Sequence, residues 1–79
     1  LNAREYTANA GGGAVTATVN GTHELTKLEI RQDVVDPDDV EMLADLVRAA
    51  VNEAIRQAAE TSQTEMNKLT GGMSMPGLF

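Results

Sequence analysis

The segment from Asp36 to Leu69 constrains this chain more than any other. Its start, "DPDDVE", has helix-opening chemistry. Asp36 suits an N-cap, Pro37 suits the first helical position, and Asp39 follows three residues after the cap. Asp38, Asp39 and Glu41 put negative charge in the first turn, where the helix dipole favours it. Gly71-Gly72 supplies a stop. The pattern predicts a helix over about residues 37–69, which at about 1.5 Å per residue is roughly 50 Å long. That is longer than the rest of so small a domain, so the remaining residues must fold against part of it.

The two halves of this helix differ. Val40, Leu43, Ala44, Val47, Ala50, Val51, Ala54, Ile55 and Ala58 form an apolar stripe at helical spacing. Met42 and Leu46 add a second apolar patch well round from it, which predicts a first half buried between two surfaces. After Ala59 the stripe thins to Ser62, Glu65, Met66 and Leu69. The second half is therefore expected to project and to need a partner helix, because a lone polar helix is marginal in water.

Upstream, the pattern changes from helical to alternating. Strands are predicted over about residues 4–10, 14–19 and 22–31, with Gly11-Gly12-Gly13 as a flexible turn between the first two. Asn20-Gly21 is a strong signal for a two-residue type I′ hairpin. In that register Val19 pairs with Thr22, Ala17 with Glu24 and Val15 with Thr26. Val15, Ala17 and Val19 then share a buried face with Leu28 and Ile30. Thr16, Thr18, His23, Lys27 and Glu29 occupy the polar face, with Leu25 as its one apolar exception. The tail over 71–79, ending "MSMPGLF", is short and Gly/Pro-broken, and is expected to be flexible. The expected fold is a single α+β domain over residues 1–79: a three-stranded antiparallel sheet followed by one long C-terminal helix.

Composition bears on how such a domain is stabilised. Only 17 of the 79 residues are Val, Ile, Leu or Phe, and there is no cysteine. A domain of this size buries only about 60% of its unfolded surface. Neither a disulfide nor a thiolate zinc site is available to compensate, so oligomerisation is expected. No apolar run approaches the roughly 18 residues that span a bilayer, and no signal peptide is visible. The chain opens at Leu1 rather than Met, so upstream residues are expected to have been removed or omitted. A cytoplasmic, soluble chain is the expectation. Twelve acidic residues against six basic give a net charge of −6. Long-range electrostatics therefore repel nucleic acid and anionic membranes, and nucleic-acid binding would need local basic clusters.

Residues that invite a chemical reading mostly have a plainer one. His23 has no second imidazole or cysteine to share a metal, and Glu24 points to the other face of its strand. Thr16 and Thr18 are good strand formers. The acidic run Asp33, Asp36, Asp38, Asp39 and Glu41 lacks the alternate oxygens and central glycine of a calcium loop and reads as helix capping. Gly11-Gly12-Gly13 leads into a strand and lacks a following Lys-Ser/Thr pair, so it is not a phosphate loop. No base–nucleophile pair is present, and a small sheet offers little concave space for a small-molecule substrate. An enzyme, a cofactor and a metal are not expected.

Arg48, Asn52 and Arg56 stand one above another at i, i+4 and i+8, and Gln63 and Asn67 continue that side. With Lys68 these are types that contact phosphate. Asp45, Glu53 and Glu60 lie close by, which favours a salt-bridged solvent face on composition alone.

The order "GAVTATVNGTHELTKLEI", "DPDDVEMLADLVRAAVNEAIRQAAE" and a Met/Gly/Pro-rich tail resembles the YbaB/EbfC family of bacterial nucleoid-associated proteins. The resemblance covers most of the chain from about Gly13, and rests on the order and spacing of these segments. It implies a small homodimer that binds DNA with little sequence preference and resides in the nucleoid. In such proteins the sheet lies between an N-terminal helix and a long C-terminal helix, and helical arms are the proposed DNA grip. The N-terminal helix is missing from this chain, which leaves the projecting half of the long helix without its partner. Arg48, Asn52, Arg56 and Lys68 are then the expected DNA contacts, and Met42 and Leu46 the expected dimer interface. The competing expectation is a protein–protein interaction module using its helical arms and apolar tail, without direct DNA binding.

Overall fold

The computed structural model describes residues 4–71, and the side chains of residues 4–67. Three strands, β1 (Glu5–Ala10), β2 (Val15–Asn20) and β3 (Leu25–Ile30), form an antiparallel sheet in the order β1-β2-β3. A 3-10 turn at Gln32–Val34 leads to one helix, α1 (Val40–Gly71). This is the α+β architecture expected from the alternating and helical patterns. The flexible tail expected at 71–79 falls outside the described residues from 72 onward.

The register puts the small apolar residues on one face. Tyr6 stands opposite Val19, Ala8 opposite Ala17 and Ala10 opposite Val15. Across the other ladder Ala17 pairs with Leu28 and Val15 with Ile30. Partners share a face because side chains alternate along each strand. Helix α1 lies on that face over β1 and β2. Val15, Ala17 and Val19 below it, and Ala50, Ala54 and Ala58 on it, are all fully inaccessible to solvent. Alanine is both the best helix former and the smallest residue that still buries a methyl group. A stripe of it brings the helix backbone close to the sheet. Tyr6, Leu43, Leu46, Val47, Val51 and Ile55 pack around this centre.

The β2–β3 connection differs from the type I′ turn that Asn20-Gly21 predicts. His23 N–H donates to Asn20 O at 3.0 Å, closing a turn whose left-handed residue is His23 (φ 66°), not Gly21. The cause is the Asn20 side chain. Its Oδ1 accepts from the Thr22 N–H (3.0 Å), the Thr22 hydroxyl (2.8 Å) and the Glu24 N–H (3.0 Å). Its Nδ2 donates to Glu24 Oε1 at 3.1 Å. An asparagine that satisfies its own loop in this way favours a wider turn over a two-residue one. The pairing of Val19 with Thr22 is therefore wrong, and so are the pairings of Ala17 with Glu24 and Val15 with Thr26.

A bulge between Thr18 and Val19 completes the change. Thr18 pairs with Lys27 and Val19 with Leu25, so Thr26 is the extra residue. Its hydroxyl donates to Thr18 O at 3.2 Å. The extra residue moves Leu25 to the side of Val19, on the apolar face. Leu25 is thus not an exception on the polar face, and His23 lies in the turn rather than on the strand.

Helix α1 begins later than its capping pattern predicts. Asp36 Oδ1 accepts from the Asp38 N–H (2.9 Å), holding a separate turn, and Asp39 Oδ1 accepts from the Met42 N–H (3.1 Å). Asp39 is therefore the N-cap, and Val40 the first helical residue. The roof over the sheet is also narrower than a helix buried between two surfaces requires. Leu46 turns inward, with its Cδ2 2.9 Å from where a Cβ on Gly11 would sit. Gly11 adopts φ +65°, so a glycine serves that turn twice, by its backbone and by leaving room for Leu46. Met42 remains 37% exposed.

Because α1 rests on β1 and β2, strand β3 lies beyond its edge. Leu25, Leu28 and Ile30 are exposed, together with Val35, Val40 and Met42 around the helix start. Apart from Met66, these are the exposed large apolar residues among the described ones. They mark one side of the domain.

Candidate nucleic-acid interface

The side of α1 turned away from the sheet carries Arg48, Asn52 and Arg56, as their spacing predicts. All three are exposed. Helical periodicity sets them there: the buried stripe of Ala50, Ala54 and Ala58 occupies the opposite side. Gln63 continues the outer side and donates from Nε2 to Asn67 Oδ1 at 3.3 Å. The side chain of Lys68 lies outside the described residues, as does that of Leu69.

The two arginines are held by carboxylates of their own helix. Arg48 Nη2 donates to Asp45 Oδ1 at 2.9 Å. Arg56 lies between two glutamates: its Nε donates to Glu53 Oε1 at 3.0 Å, and its other nitrogens pair with Glu53 and Glu60. The hydrogen bond from Arg56 holds the Glu53 carboxyl below the usual carboxylate value, against the opposing effect of desolvation. All these side chains remain well solvated, where such pairs contribute little to stability.

Elsewhere the pairing repeats. Arg4 Nη1 meets Glu65 Oε2 at 2.7 Å, tying the start of β1 to α1. Lys27 Nζ lies 3.8 Å from Glu29 Oε2, and Arg31 Nε 2.7 Å from Asp33 Oδ1. Arg31 holds the Asp33 carboxyl below its ordinary value, chiefly through that hydrogen bond. Each lysine and arginine among the described side chains thus has a carboxylate partner. Phosphate contact would require the arginines of α1 to exchange those partners.

The groove along α1 is lined by Glu60, Thr61, Thr64 and Glu65. Its carboxylates make it unsuited to an anion. Among the described residues, no three of His, Cys, Asp or Glu are placed to hold a metal ion. No helix there is long and apolar enough to cross a membrane. Of the expected interface pair, Met42 stands at the surface, whereas Leu46 closes over the Gly11 turn of its own chain. The sequence reading did not find Val35, Val40 and the β3 leucines as one surface. Only the position of the helix over two of three strands makes them so.

A sheet of three sequential strands roofed off-centre by one long helix is the fold of a solved protein, uncharacterized protein HP0035 from Helicobacter pylori. The two superpose with a TM-score of 0.76 over 87% of this chain and 80% of that one, at 23% identity. Residues 1–73 match the model of the YbaB/EbfC DNA-binding family, and the chain belongs to that family. It is 57% identical over 75 residues to a nucleoid-associated protein of Clostridium acetobutylicum, covering 95% of this chain and 67% of that one. A nucleoid-associated protein of Clostridium perfringens is 58% identical over 79 residues, which are all of this chain and 70% of its own. This is a family of DNA-binding proteins rather than of enzymes.

Proposed function

We propose that this chain acts as a homodimeric, nucleoid-associated protein that binds the DNA backbone with little sequence preference and has no catalytic activity. The observation that carries the reading is membership of a DNA-binding family over nearly the whole chain. Named nucleoid-associated relatives of high identity support it, and they support a place in the cytoplasmic nucleoid. Arg48, Asn52, Arg56 and Lys68 are the contact residues in this reading. Met42, and in part Leu46, contribute to the dimer interface.

The mechanism is exchange of partners. Each arginine leaves a carboxylate on α1 for a phosphate, and displaced counterions supply the free energy. With two to three such cations per protomer, the slope of log affinity against log salt is about −4 to −5. A net charge of −6 and the abandoned carboxylates keep binding weak at physiological salt. A mobility-shift titration with random-sequence duplex DNA over a salt series tests this. Retardation at low salt that fades on that slope is expected. No retardation at low salt, or affinity indifferent to salt, refutes it.

The second reading is a protein-interaction module that does not touch DNA. The carboxylate pairing of the described basic side chains favours it, as does the exposed apolar side around β3. The double substitution Arg48→Glu and Arg56→Glu separates the two. DNA retardation collapses under the first reading, while association through apolar residues survives under the second.

A further inference from the structure

We infer that Asn20 is a site of spontaneous covalent modification, converted to aspartate and isoaspartate by cyclisation onto the Gly21 nitrogen when the β2–β3 turn opens. The chemistry of this turn is independent of what the chain binds. Of the five asparagines, only Asn20 precedes glycine. A residue without Cβ leaves its backbone nitrogen unhindered in reaching the Cγ of a preceding asparagine. Positive φ among the described glycines is confined to Gly11, Gly12 and Gly13, so the turn does not need a glycine at position 21 for its backbone. The Gly21 N–H is also unengaged. It has no acceptor among the described residues, whereas the N–H groups of Asn20, Thr22, His23 and Glu24 each have one.

The conversion needs only water. The Gly21 nitrogen loses its proton to hydroxide and attacks Asn20 Cγ, placing negative charge on Oδ1. The Cγ–Nδ2 bond then breaks, Nδ2 takes a proton from water and leaves as ammonia, and a cyclic imide closes between residues 20 and 21. Water opens that ring at either carbonyl. One opening gives aspartate at position 20. The other gives isoaspartate, in which the main chain runs through the former side chain. In sum, an amide and water become a carboxyl group and ammonia, with no oxidation or reduction.

The closed turn holds the Cγ back. Oδ1 accepts from the Thr22 N–H, the Thr22 hydroxyl and the Glu24 N–H, and Nδ2 donates to Glu24 Oε1. Both ends of the amide are thus tied to residues beyond Gly21. Turning its face to the Gly21 nitrogen breaks bonds at both ends, and local opening of the turn releases them together. The products do not restore the arrangement. Aspartate puts an acceptor where Nδ2 donated, so two carboxylates face each other. Isoaspartate also lengthens the main chain inside the loop closed by Asn20 N–H to Glu24 O and His23 N–H to Asn20 O. The β2–β3 register rests on that loop, so each conversion leaves a hairpin that opens more readily.

Ageing the full chain in mildly alkaline buffer, with and without guanidinium chloride, tests this by peptide mass spectrometry. Conversion at Asn20 is expected to be about ten- to hundredfold slower in the folded chain, with isoaspartate among the products. The double substitution Thr22→Val and Glu24→Ala removes two of the four side-chain bonds. It is expected to speed conversion in the folded chain about three- to tenfold and to leave the rate in denaturant unchanged. Gly21→Ala keeps a negative φ and is expected to slow conversion about tenfold in denaturant, where only the hindered attack matters.

Equal rates with and without denaturant, or no response of the folded chain to the double substitution, would overturn the gating by the turn. No slowing by Gly21→Ala, or aspartate formed without isoaspartate, would overturn the cyclisation. Should the double variant not fold, the unsubstituted comparison and Gly21→Ala decide.

Discussion

Ala54→Leu tests how closely α1 lies on the sheet. Ala54 is wholly inaccessible, and so are Ala50 and Ala58 one turn to either side. Beneath them lie Ala8, Val15, Ala17 and Val19, of which only Ala8 has any measurable exposure (6%). Leucine adds three heavy atoms at a point where both walls are already in contact. Its helix propensity is close to that of alanine, so the backbone term is small. Overpacking of this kind costs about 1–3 kcal/mol, through shifted backbone and off-rotamer side chains. In a domain of 60–100 residues each kcal/mol moves Tm by about 4–8 °C, so a fall of roughly 5–20 °C is expected. Ala49→Leu is the matched control: it is on the same helix, exposed, and expected to stay within about 0.5 kcal/mol. Both are measured by thermal unfolding followed by circular dichroism, at one protein concentration because association adds to apparent stability. If Ala54→Leu melts with Ala49→Leu, the helix does not rest on its alanines and the close-packing argument fails.

Other perturbations read other parts of the fold. Gly11→Ala combines a left-handed backbone with a Cβ 2.9 Å from Leu46 Cδ2, whereas Gly12→Ala meets only the backbone penalty. Denaturant unfolding should rank Gly11→Ala as the more destabilising, by about 1–2 kcal/mol against the unsubstituted chain. His23→Gly relieves a φ of 66° and is expected to stabilise the hairpin by about 0.5–1 kcal/mol, read by the same assay. The carboxyl of Glu53 is held below its ordinary value of 4.5 by Arg56. Its stabilising contribution is therefore complete above pH 4.5 and is lost as pH falls through the folded value. Arg56→Ala should make Tm less sensitive to pH below 4.5, and an unchanged pH profile would dispose of that linkage.

Much of this structure is visible in the sequence because its determinants are local. Alternation in "AVTATV" identifies the face that carries Val15, Ala17 and Val19, and helical spacing identifies Ala50, Ala54 and Ala58. The β2–β3 register is not visible, because it depends on one amide. Asn20 belongs to an Asn-Gly pair that suits a two-residue turn, and only its four side-chain hydrogen bonds settle the wider loop. Leu25 follows from that error, since one added residue changes its face. The candidate interface shows the same division. Arg48, Asn52 and Arg56 share a side by spacing alone, and Asp45, Glu53 and Glu60 lie three or four positions from the arginines they hold. The apolar side around β3 was out of reach, because it depends on which strands α1 covers.

The floor of this domain precedes its roof in the sequence, and that separation sets an order of events. The sheet is a meander of neighbouring strands, complete at Ile30, whereas its last buried cover is Ala58 and its closing ion pair joins residues 61 apart. On a ribosome adding roughly 5–20 residues per second, the sheet precedes its cover by about 28 residues, or ~1–6 s. For that interval Val15, Ala17 and Val19 lack the cover that α1 supplies. A nascent chain arrested with Ile30 just clear of the exit tunnel would be expected to recruit chaperones, and one arrested with Glu65 clear of it would not.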